Sequence, residues 1–380
     1  MRLRLIRSVF GTDARLPDAG DSNPPYNATA VALRYPDREL WIATTSGTRV
    51  YDGATGRAQV AALYEPRGGE WTEVARQPLA STPVATAMHQ LAGPVLRDTV
   101  AWIAVTGATA AKGGTYEMLR FDGKALTSSF WWYSPRPQAG TEADLDGDGV
   151  PEVILDASDP GVLCATCGVL DISEVVYRWV NRELVPVQLA PLPGLAATTP
   201  GTTSVAGSVA RAIALANAGL WTDAAAAMST ARAAAPSSED VRWMAIVIDH
   251  VAAARAKQAG SSAQPLLTEV LAGDYAAATA RMRHLEPAEA FATDGPLVTR
   301  TAADGRAAAL GAALVQASAR AIGARPELVD AYLVRALGEY LRDPKDLAPA
   351  LADASRAAAS GDAFARSAVI LLNGRNATPR

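Results

Sequence analysis

Short apolar runs broken by turn residues fill the first half of the chain, and long alanine-rich runs of helical periodicity fill the second. Val31-Ala32-Leu33-Arg34-Tyr35, Glu39 to Thr44, Arg49-Val50-Tyr51, Trp102 to Val105, Tyr116 to Phe121, Ser129 to Tyr133, Glu152 to Asp156, Val175 to Trp179 and Glu183 to Val187 predict strands. Pro36-Asp37-Arg38, Ser46-Gly47, Asp52-Gly53 and Asp122-Gly123-Lys124 supply hairpin turns between them. The stretch from about Pro191 to Gly207 is rich in Pro, Gly and Thr and reads as a linker. Beyond it strand signals vanish and apolar residues recur at helical spacing. The expected organisation is an irregular lead-in over 1–25, an all-β domain over 26–192, a linker over 193–206 and an all-α domain over 207–380.

The strands suggest three copies of one unit of about 50 residues. Leu40-Trp41-Ile42-Ala43 aligns with Ala101 to Val105 and with Glu152 to Leu155. An aromatic strand with a turn behind it follows in each copy: Val50-Tyr51-Asp52-Gly53, Leu119-Arg120-Phe121-Asp122-Gly123 and Tyr177-Arg178-Trp179-Val180-Asn181. One copy differs by its chemistry. Asp144-Leu145-Asp146-Gly147-Asp148-Gly149-Val150-Pro151-Glu152 spaces three carboxylates so that a curled loop aims them at one centre. Gly147 and Gly149 supply the left-handed backbone such a curl needs. The Val150 carbonyl and Glu152 complete an all-oxygen cage, which suits Ca²⁺ better than Mg²⁺ because Ca²⁺ accepts many ligands in irregular geometry. Three carboxylates this close repel one another unless a cation sits among them. An Asp/Gly-rich hairpin turn without an ion is the plainer reading.

An EF-hand is excluded, because its twelfth loop position is Leu155 and a strand follows in place of a helix. Residues Asp144 to Leu155 resemble the calcium loop of FG-GAP/VCBS repeats, the blades of integrin-like β-propellers. That resemblance implies a propeller-like antiparallel β-domain with metal ligands Asp144, Asp146, Asp148, Val150 and Glu152. Tyr35 to Glu39 and Gly93 to Asp98 replace the acidic loop in the other copies, and three copies are fewer than the four to eight blades of a closed propeller.

In the second half, Gly219-Leu220-Trp221-Thr222-Asp223-Ala224 marks a turn between helices, and Pro236 closes the second of them. Leu271-Ala272-Gly273-Asp274-Tyr275 repeats that turn, and Pro326, Tyr332, Ala336, Tyr340 and Asp343-Pro344 fit another unit. These residues resemble a tetratricopeptide (TPR) solenoid, which implies a groove for peptides or helices of protein partners. A generic alanine-rich bundle is the alternative.

Composition narrows the function. Charged residues make up 19% of the 380, with 35 basic against 39 acidic, so no electrostatic case for nucleic acid exists. No unbroken apolar run reaches the ~18 residues of a membrane span. There is no G-x-S-x-G, H-E-x-x-H or G-x-G-x-x-G motif, and Lys112 precedes the glycines of Gly107 to Thr115, which reads as a hairpin loop. His89, His250 and His284 stand far apart and need no function. In a strand, Trp131 and Tyr133 share one face and Trp132 takes the other; core is the expectation, with an exposed stripe gripping sugar or peptide the alternative.

Cys164 and Cys167 are the only cysteines, spaced C-x-x-C in a loop between strands. A loop-stapling disulfide is expected, with free thiols or metal and redox chemistry as alternatives. The staple would need an oxidising compartment, as a moderate Ca²⁺ site would need millimolar Ca²⁺. Arg7 and Asp13 interrupt the apolar start, so an export signal is not visible, yet the expected location is extracytoplasmic. The expected function is a non-enzymatic, Ca²⁺-binding scaffold for protein partners. The alternative is a glycan hydrolase that uses carboxylates of the β-domain with Trp131 or Trp132 as a sugar platform.

Overall fold

The computed structural model describes residues 4–7, 27–46, 60–80, 85–91, 100–108, 113–192 and 204–377. Among these, twelve strands form three four-stranded antiparallel sheets, each running through its strands in chain order. The first holds β1 (Asn27–Leu33), β2 (Leu40–Ser46), β3 (Val60–Arg67) and β4 (Glu70–Pro78). The second holds β5 (Ala85–Gln90), β6 (Ala101–Ala108), β7 (Gly114–Phe121) and β8 (Leu126–Ser134). The third holds β9 (Gly140–Ala143), β10 (Glu152–Asp156), β11 (Glu174–Val180) and β12 (Glu183–Pro186). Each sheet is open, and among the described residues none closes into a barrel.

The stacking of the sheets explains the apolar runs. Along β6, Ala101, Ile103 and Val105 join a buried cluster with Leu40, Ile42, Ala61 and Leu63 of the first sheet. Trp102 and Ala104, on the opposite face, join a second cluster with Val153 and Leu155 of the third. A strand buried on both faces has no position left for a polar residue, so it reads as a continuous hydrophobic run. The outer face of the first sheet buries Leu5 and Ile6, from a helical turn at residues 4–7, against Ala43, Ala62 and Tyr64.

The proposed copies occupy equivalent places. The aligned segments at Leu40, Ala101 and Glu152 begin β2, β6 and β10, each the second strand of its sheet. A bulge leaves Val74 unpaired in β4 and Ser129 unpaired in β8. These two lie the same 55 positions apart as the turn glycines Gly68 and Gly123. In the first copy, however, the third strand is Val60–Arg67, while Val50 to Gly53 lies outside the described residues. Val60-Ala61-Ala62-Leu63 gives little strand signal in the sequence because alanine carries little strand propensity, and its burial comes from stacking.

Among the described residues ten helices follow the strands: α1 (Val205–Asn217), α2 (Trp221–Ala234), α3 (Glu239–Ala259), α4 (Pro265–Leu271), α5 (Tyr275–Arg283), α6 (Pro287–Ala290), α7 (Ala307–Ala324), α8 (Val329–Arg342), α9 (Ala348–Ala358) and α10 (Ala363–Ala377). The expected turns fall at Gly219 between α1 and α2, at Gly273 between α4 and α5, and at Asp343-Pro344 between α8 and α9. Helices α7 and α8 cross at Gly311 and Gly338, where a Cβ on Gly311 would lie 2.5 Å from both the Gly338 oxygen and the Arg342 nitrogen. By length and composition α7 is apolar enough to span a membrane; seven of its residues are buried in the helical core.

Contacts divide the chain into two compact units. One is Met1–Ala157 with Glu174–Pro186, and the other is Ser158–Ser173 with Val187–Arg380. The β10–β11 connection, placed in the β-domain from its sequence, therefore groups with the helices. The reason is burial: Leu163 and Val169 belong to the same buried cluster as the helical core residues. Of the expected linker over 193–206, residues 193–203 lie outside the described residues, while Ser204 already caps α1 and the helix starts at Val205, earlier than the expected boundary at 207.

Candidate metal centre

The acidic loop connects β9 to β10, and its own carboxylates shape it. Asp144 accepts from the Gly147 and Gly149 nitrogens on its two oxygens, at 2.8 and 3.0 Å. Asp146 Oδ1 accepts from Asp148 N at 3.1 Å and Asp148 Oδ1 from Val150 N at 2.7 Å, the local turns that Asp favours. Gly147 and Gly149 take φ of 81° and 85°, the left-handed conformation their positions call for. Glu152, at the start of β10, reaches back to accept from Leu145 N at 2.9 Å, and Trp179 Nε1 holds the Pro151 carbonyl at 3.0 Å.

Oxygens of Asp144, Asp146 and Glu152 all lie within 4.8 Å of one another. Two oxygens bound to one Ca²⁺ at ~2.3–2.6 Å can be no more than about 5 Å apart, so these three fit round a single ion. Asp148 is outside that triad, and Val150 is fixed through its N–H to Asp148. The electrostatics of the loop favour a positive charge among these carboxylates. Burial pushes the Glu152 carboxyl up, the Leu145 N–H opposes that, and Asp146, Asp148 and Asp144 add to the rise, leaving it at about 7. Glu152 is only 2% exposed.

A second polar cluster was not legible as such in the sequence. His89 of β5, read as isolated, has its Nε2 3.2 Å from Glu142 Oε2, and the buried Tyr116 donates to Glu142 Oε1 at 2.6 Å. The Glu142 bond raises the His89 pKa. Burial pulls Glu142 upward, but the bonds from His89 and Tyr116 outweigh it and leave its carboxyl lowered. The pairing joins β5, β7 and β9, which no sequence spacing announces.

Cys164 and Cys167 form a disulfide inside the connection that groups with the helices. The aromatic trio divides by face. Trp132, half-buried, packs against the core and donates Nε1 to the Asp156 carbonyl at 2.7 Å, whereas Trp131 and Tyr133 are 51% and 46% exposed. The expectation of core thus holds for Trp132 alone. The loop after Ala108 lies outside the described residues up to Lys112.

In the helical unit an open groove of about 1150 Å³ is lined by Tyr340, Lys345, Leu347, Ile370, Leu371 and Arg375, among others. No protein-family model matches this chain, and no curated protein or solved structure is similar enough to count as a relative.

Proposed function

We infer that the protein is a non-enzymatic, Ca²⁺-binding scaffold. In this reading its β unit is built of FG-GAP/VCBS-like, propeller-type blades and its helical unit is TPR-like. The observation that carries it is the convergence of Asp144, Asp146 and Glu152 within 4.8 Å at the head of a blade-like sheet. A hard, oxygen-only donor set at the β9–β10 turn calls for a hard cation, and Ca²⁺ tolerates the irregular geometry. Asp148 and the Val150 carbonyl would complete the shell. When bound, the ion offsets the repulsion among the carboxylates and ties β9 to β10; the helical unit receives a protein partner in its groove.

The Cys164–Cys167 disulfide and a site of moderate affinity both suit an extracytoplasmic setting, where thiols stay oxidised and Ca²⁺ is millimolar. The test is calorimetry of EDTA-stripped protein, in which Ca²⁺ raises the melting temperature of the β unit and Asp144→Asn with Asp146→Asn abolishes the rise. No shift at millimolar Ca²⁺ removes the assignment.

A second reading, a glycan-active protein, draws on one observation: Trp131 and Tyr133 stand exposed side by side on β8. It requires Trp131→Ala to weaken binding to a polysaccharide without changing the fold, and release of reducing sugar if the protein is a hydrolase.

A further inference from the structure

The groove of the helical unit has a chemistry of its own. Ile370, on α10, is 73% exposed, more than any other large apolar residue among those described, while α10 buries Ala365, Ala368 and Leu372 in the core. The half-buried Leu371 and the largely buried Leu347 line the same groove, and so do Lys345 and Arg375.

Among the described residues neither cation has a carboxylate partner. Arg375 Nη1 donates to the Phe291 carbonyl at 2.6 Å, and its guanidinium lies 5.1 Å from the Tyr340 ring centroid. That fixes the group in place without neutralising it. Elsewhere in the same unit Arg281 is paired with Glu269, Arg283 with Asp330 and Asp362, and Arg335 with Asp353. Asp343 and Asp346 flank Lys345 in sequence, but their carboxylates accept the backbone nitrogens of Lys345 and Ala348. A half-buried arginine held by a carbonyl and a ring is a preorganised receptor for a carboxylate, because its fork is already ordered.

The size and shape of the groove argue for a macromolecular occupant. At about 1150 Å³ and open to solvent, it exceeds the ~300–1,000 Å³ typical of enclosed small-molecule sites. Apolar side chains and cations lining one open groove complement an amphipathic segment that carries acidic residues. We propose that this groove binds an acidic amphipathic segment of another protein, with apolar side chains on Leu347, Ile370 and Leu371 and carboxylates on Lys345 and Arg375. The proposal rests on the reading of the helical unit as a protein-binding scaffold and adds the charge and character of the partner.

The test is fluorescence anisotropy on the full chain in Ca²⁺, with two synthetic amphipathic helices as probes. Both carry leucine on one face; one has glutamate and the other lysine on its flanks. The glutamate probe should bind at least about tenfold tighter, a difference that shrinks as salt is raised. Ile370→Asp should weaken it at least about tenfold and Lys345→Glu severalfold; both side chains are exposed, so circular dichroism should show the fold unchanged. If both probes bind equally and Ile370→Asp weakens both, the charge assignment fails while the scaffold reading stands. If neither binds, or Ile370→Asp changes nothing, the groove is not the docking site. A wild-type dimer that Ile370→Asp converts to monomer would identify a second copy as the occupant and overturn the proposal.

Discussion

The Arg255 guanidinium, on α3, donates to the Asp171 carboxylate at 2.6 Å across 84 positions of sequence. Asp171 lies in the connection between two β-strands, and its other oxygen is 3.6 Å from Arg320. Arg255 also donates to the Ile172 and Leu271 carbonyls and packs 5.1 Å from the Trp221 ring centroid. One buried arginine thus anchors the β10–β11 connection within the helical unit.

Removing that arginine should destabilise the helical unit strongly. Arg255→Ala leaves two carbonyls without their donor and Asp171 with only the more distant Arg320; breaking a buried pair costs ~3–5 kcal/mol, and because Asp171 is partly exposed and keeps that second cation, about 3 kcal/mol is expected. Arg255→Lys should recover only part of it, because one ammonium cannot reproduce the planar fork. Urea unfolding followed by far-UV circular dichroism measures both. A cost under about 0.5 kcal/mol would mean that the connection is held some other way.

The same connection should contribute through its apolar residues and its staple. Leu163→Ala should cost about 2–4 kcal/mol, as for a core leucine, though it sits in a loop between strands. Replacing Cys164 and Cys167 by serine should cost about 2 kcal/mol, since so short a loop restrains the unfolded chain only a little. Thiol titration of unreduced, denatured protein should find no free thiol; two per chain would disprove the disulfide.

Glu152 sets a pH dependence that Ca²⁺ should invert. Its carboxyl stands at about 7 against an ordinary 4.5, raised first by burial and then by the neighbouring aspartates, against the pull of the Leu145 N–H. Between those values the folded state holds the proton more tightly than the unfolded chain. Without metal, the contribution is fully present below about 4.5 and lost as pH rises through about 7, at most about 3 kcal/mol in all. Ca²⁺ must displace that proton, so it should stabilise the β unit more at pH 8 than at pH 5. Melting curves in EDTA and in Ca²⁺ at the two pH values measure this, and Glu152→Gln should flatten the EDTA series. An EDTA midpoint independent of pH would contradict it.

Gly311→Ala should destabilise the protein although alanine favours helices. Propensity offers up to ~1 kcal/mol, but the added methyl would meet Arg342 N and the Gly338 oxygen at 2.5 Å, both backbone atoms that cannot swing aside. Forcing α7 and α8 apart should cost about 1–3 kcal/mol more than propensity returns. A melting temperature equal to or above wild type would show that the crossing can relax.

Local chemistry was legible in the sequence wherever neighbours in the chain are neighbours in space. Asp144, Asp146 and Asp148 could be read as one curled loop because the turn is made by its own carboxylates and by Gly147 and Gly149. The second strand of each sheet, and the helix turns at Gly219, Gly273 and Asp343-Pro344, were legible because strand pattern and breaker residues act within a few positions.

What the tertiary structure alone decided depends on faces and on distant partners. Ala61, Ala62 and Leu63 became a buried strand only because other elements cover both faces, and Trp131 and Trp132 parted because alternate residues of β8 face different surroundings. His89 found Glu142 through sheet stacking, and the connection bearing Cys164 and Cys167 joined the helices because Leu163, Val169 and Asp171 met partners far away in the chain. Backbone propensity and hydrogen bonding act over a few residues and leave a local pattern; burial and ion pairing are set by whichever surfaces the folded chain brings together, and no local pattern records them.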